Sequence, residues 1–145
     1  MSPALRDADL IHVRRGSGIS ARYERGSIVV AEMRSLSGDH SLLANVKRVV
    51  GLPGELVHVG NDGAVLIEGI SLAEPYLDPE ALAAPGPGLS WLCDDDEYFL
   101  MGDNRADSGD SRRFGPVPAS QIVGKMWLRL PTRRLLGRGS QAHVS

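Results

Sequence analysis

LVHVGNDGAVLIEG, residues 56–69, places two short apolar runs on either side of GNDG. Gly, Asn and Asp tolerate positive φ, so the chain can reverse between Val59 and Ala64 and pair the runs as a β-hairpin. The same punctuation recurs along the chain: apolar residues cluster in short runs separated by Gly, Pro and Asp, and almost nothing repeats at helical spacing over ten residues. Strands are expected at 10–13, 28–33, 46–50, 56–59, 64–68, 98–101 and 122–130, which makes the fold mostly β. A chain of 145 residues is long enough to bury a core without disulfides or metal, and leaves room for only a small second lobe.

Residues 71–90, SLAEPYLDPEALAAPGPGLS, depart from this pattern. Prolines and glycines break any strand there, so a surface excursion with at most one helical turn at 78–84 is expected. The last fifteen residues, PTRRLLGRGSQAHVS (131–145), form a basic, pattern-free tail. It reads as a solvated terminus, with contact to anionic lipid headgroups as the sharper alternative.

Composition removes several function classes. A net charge of -2 with 23% charged residues provides no basic field for nucleic acid. Cys93 is the single cysteine, which rules out an internal disulfide and a cysteine-based zinc site; its acidic surroundings, CDDDE, offer nothing to lower its pKa, so it reads as a passive thiol. His12, His40, His58 and His143 lack metal-ligand spacing, and neither a metal nor a cofactor is expected. No run approaches the roughly 18 to 20 apolar residues of a spanning helix, and no signal-peptide pattern opens the chain. Trp91 and Trp127 read as core or interfacial anchors.

Two stretches carry chemistry. In NVKRVVGLPGE, residues 45–55, Lys47 stands out because only it and Lys125 among the 16 basic residues are lysines. Arginine does not give up its proton in a protein, whereas a desolvated lysine does. In a strand Lys47 shares a face with Asn45 and Val49, and Val46, Arg48 and Val50 share the other. Burial beside a valine would push the amine down from about 10.4 and make it a general base. Taken alone, a lysine in such a strand more often snorkels to solvent.

The second stretch is MGDNRADSGDSRRFGPVP, residues 101–118. A calcium loop beginning at Asp103 fails, because Arg105 occupies the third position and Phe114 stands where a bidentate Glu belongs. A rigid polar network fits better, with Asp103, Asp110, Arg48, Arg105 and Arg112 pairing and Ser108 held to orient a neighbour. Alone, such a network can be purely structural.

KRVVGLPGE followed some fifty residues later by GDNRxxSxDSRxFGxVP resembles the type I signal peptidase family, membrane-tethered serine proteases with a Ser/Lys dyad. RGSIVV (25–30) and LAEPYL (72–77) are similar to two further family segments, so the resemblance runs from Met1 to about Arg129. It implies a β-rich catalytic core over residues 1–130 with a small inserted β lobe at roughly 56–96. It implies Lys47 as general base, Ser108 orienting it, Asp110 and Arg112 as a supporting ion pair, and Met1, Leu5 and Val46 lining substrate pockets for small residues. The implied substrates are signal peptides of exported preproteins, cleaved after Ala-x-Ala-type sequences on the extracytoplasmic side of a membrane, with no cofactor.

The family's nucleophile lies in Ser-Met-x-Pro-Thr-Leu, and this sequence begins Met1-Ser2-Pro3-Ala4-Leu5. Aligned on Met and Pro, the nucleophilic serine falls one place before Met1, and the membrane anchor normally upstream of it is expected to be missing from this sequence as well. Ser2, in the motif's variable position, is the weaker substitute, since a slip of one residue points a strand side chain to the other face. The 145-residue polypeptide by itself is therefore expected to be inactive. Another Ser/Lys maturation protease of the same superfamily and a non-catalytic module that holds signal peptides or a partner remain open as alternatives.

Overall fold

The computed structural model describes residues 10–15, 21–35, 37–39, 41–79 and 86–130. Among the described residues, ten strands build two antiparallel sheets. The six-stranded sheet has the order β1-β10-β2-β3-β8-β9, with β1 at Leu10–Arg15, β2 at Ile28–Arg34, β3 at Leu42–Gly51, β8 at Glu97–Met101, β9 at Val117–Pro118 and β10 at Ile122–Leu130. The four-stranded sheet, order β6-β5-β4-β7, comes from the chain between β3 and β8: β4 at Leu56–Val59, β5 at Val65–Ile67, β6 at Ile70–Ser71 and β7 at Leu89–Leu92.

The mostly β reading holds, and the GNDG hairpin forms as expected, with Val57, His58 and Val59 opposite Ile67, Leu66 and Val65. Besides β6, which was not expected, and β1, which runs to Arg15, four further features differ from expectation. β3 starts at Leu42, because Leu42–Asn45 continue the pairing with β2 from Arg34 to Ala31. β7 takes its first two residues from the segment read as a surface excursion and pairs with β4, so that Leu56 faces Leu92. β9 contains Pro118, which a sheet edge tolerates because no ladder partner there needs its N–H. A four-residue helix, α1 (Ser111–Phe114), interrupts the polar stretch; Asp110 caps it by accepting from the Arg112 N–H. The helical turn expected at 78–84, the tail at 131–145, His40 and His143 fall wholly or largely outside the described residues.

β8 explains how two sheets share one body. Its sequence EYFLM ends in four buried apolar residues, the pattern of a strand covered on both faces. Tyr98 and Leu100 enter a core with Tyr23, Val29, Ala31, Met33, Val49, Val117 and Ile122. Phe99 and Met101 point the other way, into a core with Val50, Val57, Val59, Val65, Ile67 and Cys93, where the Trp91 ring packs 5.0 Å from that of Phe99. Adjacent β3 residues divide in the same manner, Val49 to the first core and Val50 to the second. Arg25 braces the entry to the second sheet: it pairs with Glu55 through two hydrogen bonds and donates to the Val50 carbonyl.

The register of β3 against β8 shifts between Val49 and Gly51, at the corner where the sheets part. A Cβ on Gly51 would lie 2.5 Å from Val57 Cγ2 and 2.8 Å from Phe99 Cβ. Both are core atoms with no room to retreat. Gly51→Ala is expected to destabilise the protein by about 1–3 kcal/mol, the usual cost of overpacking, read as a lower urea midpoint at unchanged denaturant slope.

Candidate active site

The end of β8 delivers the chain into the loop 102–110, and β3 runs alongside it. Lys47 sits opposite Val29 of β2 and is 8% exposed, so the snorkelling state does not apply. Its Nζ donates to Ser108 Oγ at 3.0 Å. Burial is the main cause that lowers its pKa, and the nearby Arg112 charge acts in the same direction; Asp110 and, more weakly, Asp107 counteract them. The partner of the buried amine is thus a neutral hydroxyl, in an environment that favours the uncharged form.

The polar network around this pair is real, with one exchange of partners. Arg48, on the opposite face of β3 from Lys47, makes a bidentate pair with Asp103 at 2.9 and 2.7 Å and donates to the Gly26 carbonyl at 2.8 Å. Arg112 grips Asp110 at two points, both 2.9 Å. Asp110 is fully buried, and its Oδ2 accepts from the Gly102 N–H at 3.0 Å. It therefore joins the end of β8 to the cap of α1. Arg105 does not pair with either aspartate side chain. It pairs with Glu74, outside the loop, and donates Nε to the Gly102 carbonyl at 2.9 Å. Ser111, buried beneath, accepts from the Leu100 N–H at 2.9 Å.

Gly102 escaped the sequence reading. Its constraint is steric, since a Cβ there would fall 2.1 Å from Ser108 Oγ and 3.6 Å from Lys47 Nζ. Only a glycine lets the Ser108 hydroxyl sit over the strand end and reach the amine. The signal was a glycine directly after an apolar strand, a place where a close backbone approach is one of the reasons for the residue. Residue type and spacing do not pick out Glu74, which pairs with Arg105, or Tyr76, which donates to Glu74, although both lie in LAEPYL (72–77).

Val46 lies opposite Val30 and is half-buried, on the face of β3 away from Lys47. Met1, Ser2 and Leu5 lie outside the described residues. Cys93 is buried in the second core; burial first, then the charges of Glu97, Glu55 and Asp94, push its thiol up to about 12, which keeps it inert. Among the described residues no group of three His, Cys, Asp or Glu side chains could hold a metal ion, and no helix is long and apolar enough to cross a membrane.

Two measurements check the electrostatics without any assay of activity. With only Lys47 and Lys125 present, a ¹³C-lysine-labelled chain gives two Cε signals that can be titrated separately. Asp107→Asn removes a charge that favours the ammonium, so the Lys47 titration is expected to move to still lower pH. The second is thermodynamic. Since the folded state holds Lys47 below its ordinary value, the unfolded chain binds more protons between the two values, and stability rises with pH across that window. Lys47→Met is therefore expected to stabilise the protein near neutral pH, with the gain shrinking as pH approaches the ordinary lysine range, measured by urea unfolding at a series of pH values.

Comparison with known proteins shows the family to which the chain belongs. The family model described as signal peptidase, peptidase S26, matches residues 1–130. The chain is 36% identical over 132 residues to a signal peptidase I of Bacillus amyloliquefaciens, covering 86% of this chain and 65% of that protein. It is 35% identical over 132 residues to signal peptidase I T of Bacillus subtilis (strain 168), again covering 86% and 65%. The crystal structure of a signal peptidase I from Enterococcus faecalis V583 superposes with a TM-score of 0.60 at 26% identity, covering 74% of this chain and 98% of that one. The chain spans about two thirds of the length of these curated relatives. With a family model matched along 130 of its 145 residues and a lysine and serine brought together from separate segments, the chain belongs to the signal peptidase family, peptidase S26.

Proposed function

We propose that this chain carries the base and its positioning machinery for a Ser/Lys endopeptidase that removes signal peptides from exported proteins. The observation that carries this reading is the buried Lys47 amine, 3.0 Å from Ser108 Oγ in surroundings that favour its neutral form. A neutral amine accepts a proton, which a surface lysine does not do at physiological pH.

In the proposed reaction a serine hydroxyl attacks the scissile carbonyl carbon while Lys47 Nζ takes its proton. Lys47 then gives that proton to the departing amine as the peptide C–N bond breaks, leaving an acyl-serine ester. Water, deprotonated by the same amine, attacks the ester and restores the serine. Ser108 holds the amine in line through the 3.0 Å hydrogen bond. The Asp110–Arg112 pair fixes the turn that carries Ser108 and hydrogen-bonds Gly102 through Asp110. The nucleophile is the motif serine that aligns one position before Met1, with Ser2 as its weaker alternative; Met1, Leu5 and half-buried Val46 contribute to the pockets that take small side chains.

The proposed substrates place the site at the extracytoplasmic face of a membrane. Trp127, 70% exposed on β10, supports contact with such an interface, because an indole combines an apolar body with a polar N–H.

The test uses a polypeptide in which a serine directly precedes Met1, assayed on a peptide containing Ala-x-Ala. Cleavage after the second alanine is expected, with a rate that rises with pH as Lys47 loses its proton and a midpoint below the ordinary lysine value. Lys47→Ala should lower the rate by about 10²–10⁴-fold, the typical contribution of a positioned general base. A folded Lys47→Ala protein that cleaves at the parent rate would refute the assignment. Gly102→Ala, which drives a methyl group into Ser108, is expected to lower the rate while leaving the cleavage position unchanged.

A further inference from the structure

We propose that Glu74 and Tyr76, in the segment between β6 and β7, are positioning residues for the Lys47–Ser108 pair, acting through Arg105 and Arg48 on the two ends of the Gly102–Asp103 peptide. The inference rests on the reading of Lys47 as base only for its kinetic consequence; the structural part stands on the contacts themselves.

Those contacts form an unbroken chain. Glu74 receives both terminal nitrogens of Arg105, whose side chain is 1% exposed, and that of Glu74 is itself only 9% exposed. Arg105 passes the constraint on through Nε to the Gly102 carbonyl at 2.9 Å. Tyr76 donates its hydroxyl to Glu74 Oε1 at 2.7 Å, and its ring lies 3.9 Å from the Arg48 guanidinium carbon. Arg48 in turn holds the Asp103 carboxylate at both oxygens. Burial, followed by the Glu74 hydrogen bond, pushes the Tyr76 phenol up, so it remains a neutral donor wherever the protein is assayed.

The point of convergence is Gly102. Its N–H is taken by Asp110 and its carbonyl by Arg105, so both polar groups of this residue are tied to side chains, and Ser108 packs directly against its α carbon. Of the two ties, Asp110 comes from within the loop. The other depends on a carboxylate 31 residues earlier in the chain. Without Glu74, Arg105 loses its only side-chain acceptor among the described residues, the Gly102 carbonyl loses a well-oriented donor, and the strand end is free to drift from Ser108. Displacements on the order of 1 Å at a reacting group cost about a hundredfold in rate.

The groups that act on Lys47 directly are Ser108, through its hydroxyl, and the charges of Asp110, Arg112 and Asp107, with Val29 packed opposite on β2. Glu74 and Tyr76 are not among them. A change in the Lys47 titration on altering either residue therefore reports displacement of the loop and entry of water.

The experiment uses the 145-residue chain, ¹³C-labelled at lysine, as parent and as Glu74→Gln, Tyr76→Leu and Tyr76→Phe variants, with Glu55→Gln as a control that breaks a two-point ion pair, Arg25–Glu55, which makes no hydrogen bond to the loop. Expected is a shift of the Lys47 titration toward the ordinary lysine value in Glu74→Gln and Tyr76→Leu. A smaller shift is expected in Tyr76→Phe, which keeps the ring over Arg48, and none in the control. In the chain extended by the preceding serine, the first two variants should lose about ten- to a hundredfold in kcat with KM little changed and an alkaline displacement of the pH–rate midpoint. Folded Glu74→Gln and Tyr76→Leu proteins whose Lys47 titrates as in the parent would overturn the proposal. If Glu74→Gln does not fold, Tyr76→Phe decides by the same criterion. Should the extended parent cleave nothing while the Lys47 titration moves as described, the positioning role stands and the peptidase reading falls.

Discussion

Keeping one primary amine out of water is the constraint around which this protein is arranged. An ammonium in an apolar interior is costly unless paired, and here Lys47 hydrogen-bonds to a hydroxyl, with the stronger of its opposing charges, Asp110, engaged elsewhere. Asp110, whose charge favours the protonated amine, is already held by Arg112 and by the Gly102 amide. Arg112 adds a positive charge of its own to the lysine's surroundings. The same pair thus satisfies a buried carboxylate and keeps the electrostatic environment of the amine from being dominated by negative charge.

Arginines do the structural pairing. Arg25, Arg48, Arg105 and Arg112 each meet a carboxylate with two nitrogens, a geometry that their planar fork permits and an ammonium does not. Their permanent charge leaves proton exchange to the side chain that can titrate. Removing one partner from a buried pair such as Arg48–Asp103 typically costs about 3–5 kcal/mol, because the other charge is stranded. That asymmetry makes the loop geometry persistent even though each ion pair adds little net stability when intact.

Much of the sheet was legible in the sequence because its strands are buried by simple rules. The GNDG turn declared its hairpin, and YFLM read as a strand, although that it is covered on both sides came only from the structure. β7 was hidden because LSWL lies on a sheet edge with Leu89 and Leu92 half or more exposed, so no burial alternation marks it. α1 was hidden because four residues are too few for a helical period. At the candidate site, the residue types and the roles of Lys47, Ser108, Asp110 and Arg112 were suggested by the motifs. The partner of Arg105 was not, since charge and spacing within the loop pointed to its own aspartates, whereas the pairing is set by how the chain returns from the second sheet. The burial of Lys47 was likewise undecidable from a strand pattern that fits a covered and an open face equally well.

β8 serves as a wall common to two hydrophobic interiors, with Tyr98 and Leu100 on one side and Phe99 and Met101 on the other. Detaching the second sheet would lay bare Phe99 and Met101 on the strand that leads directly into the loop at Gly102. The two sheets are consequently bound into one cooperative unit of unfolding, and amide protons of β8 belong among the slowest to exchange with solvent. A loop anchored to such a strand does not loosen by partial opening of either sheet; what remains to displace it is the loss of its own side-chain ties.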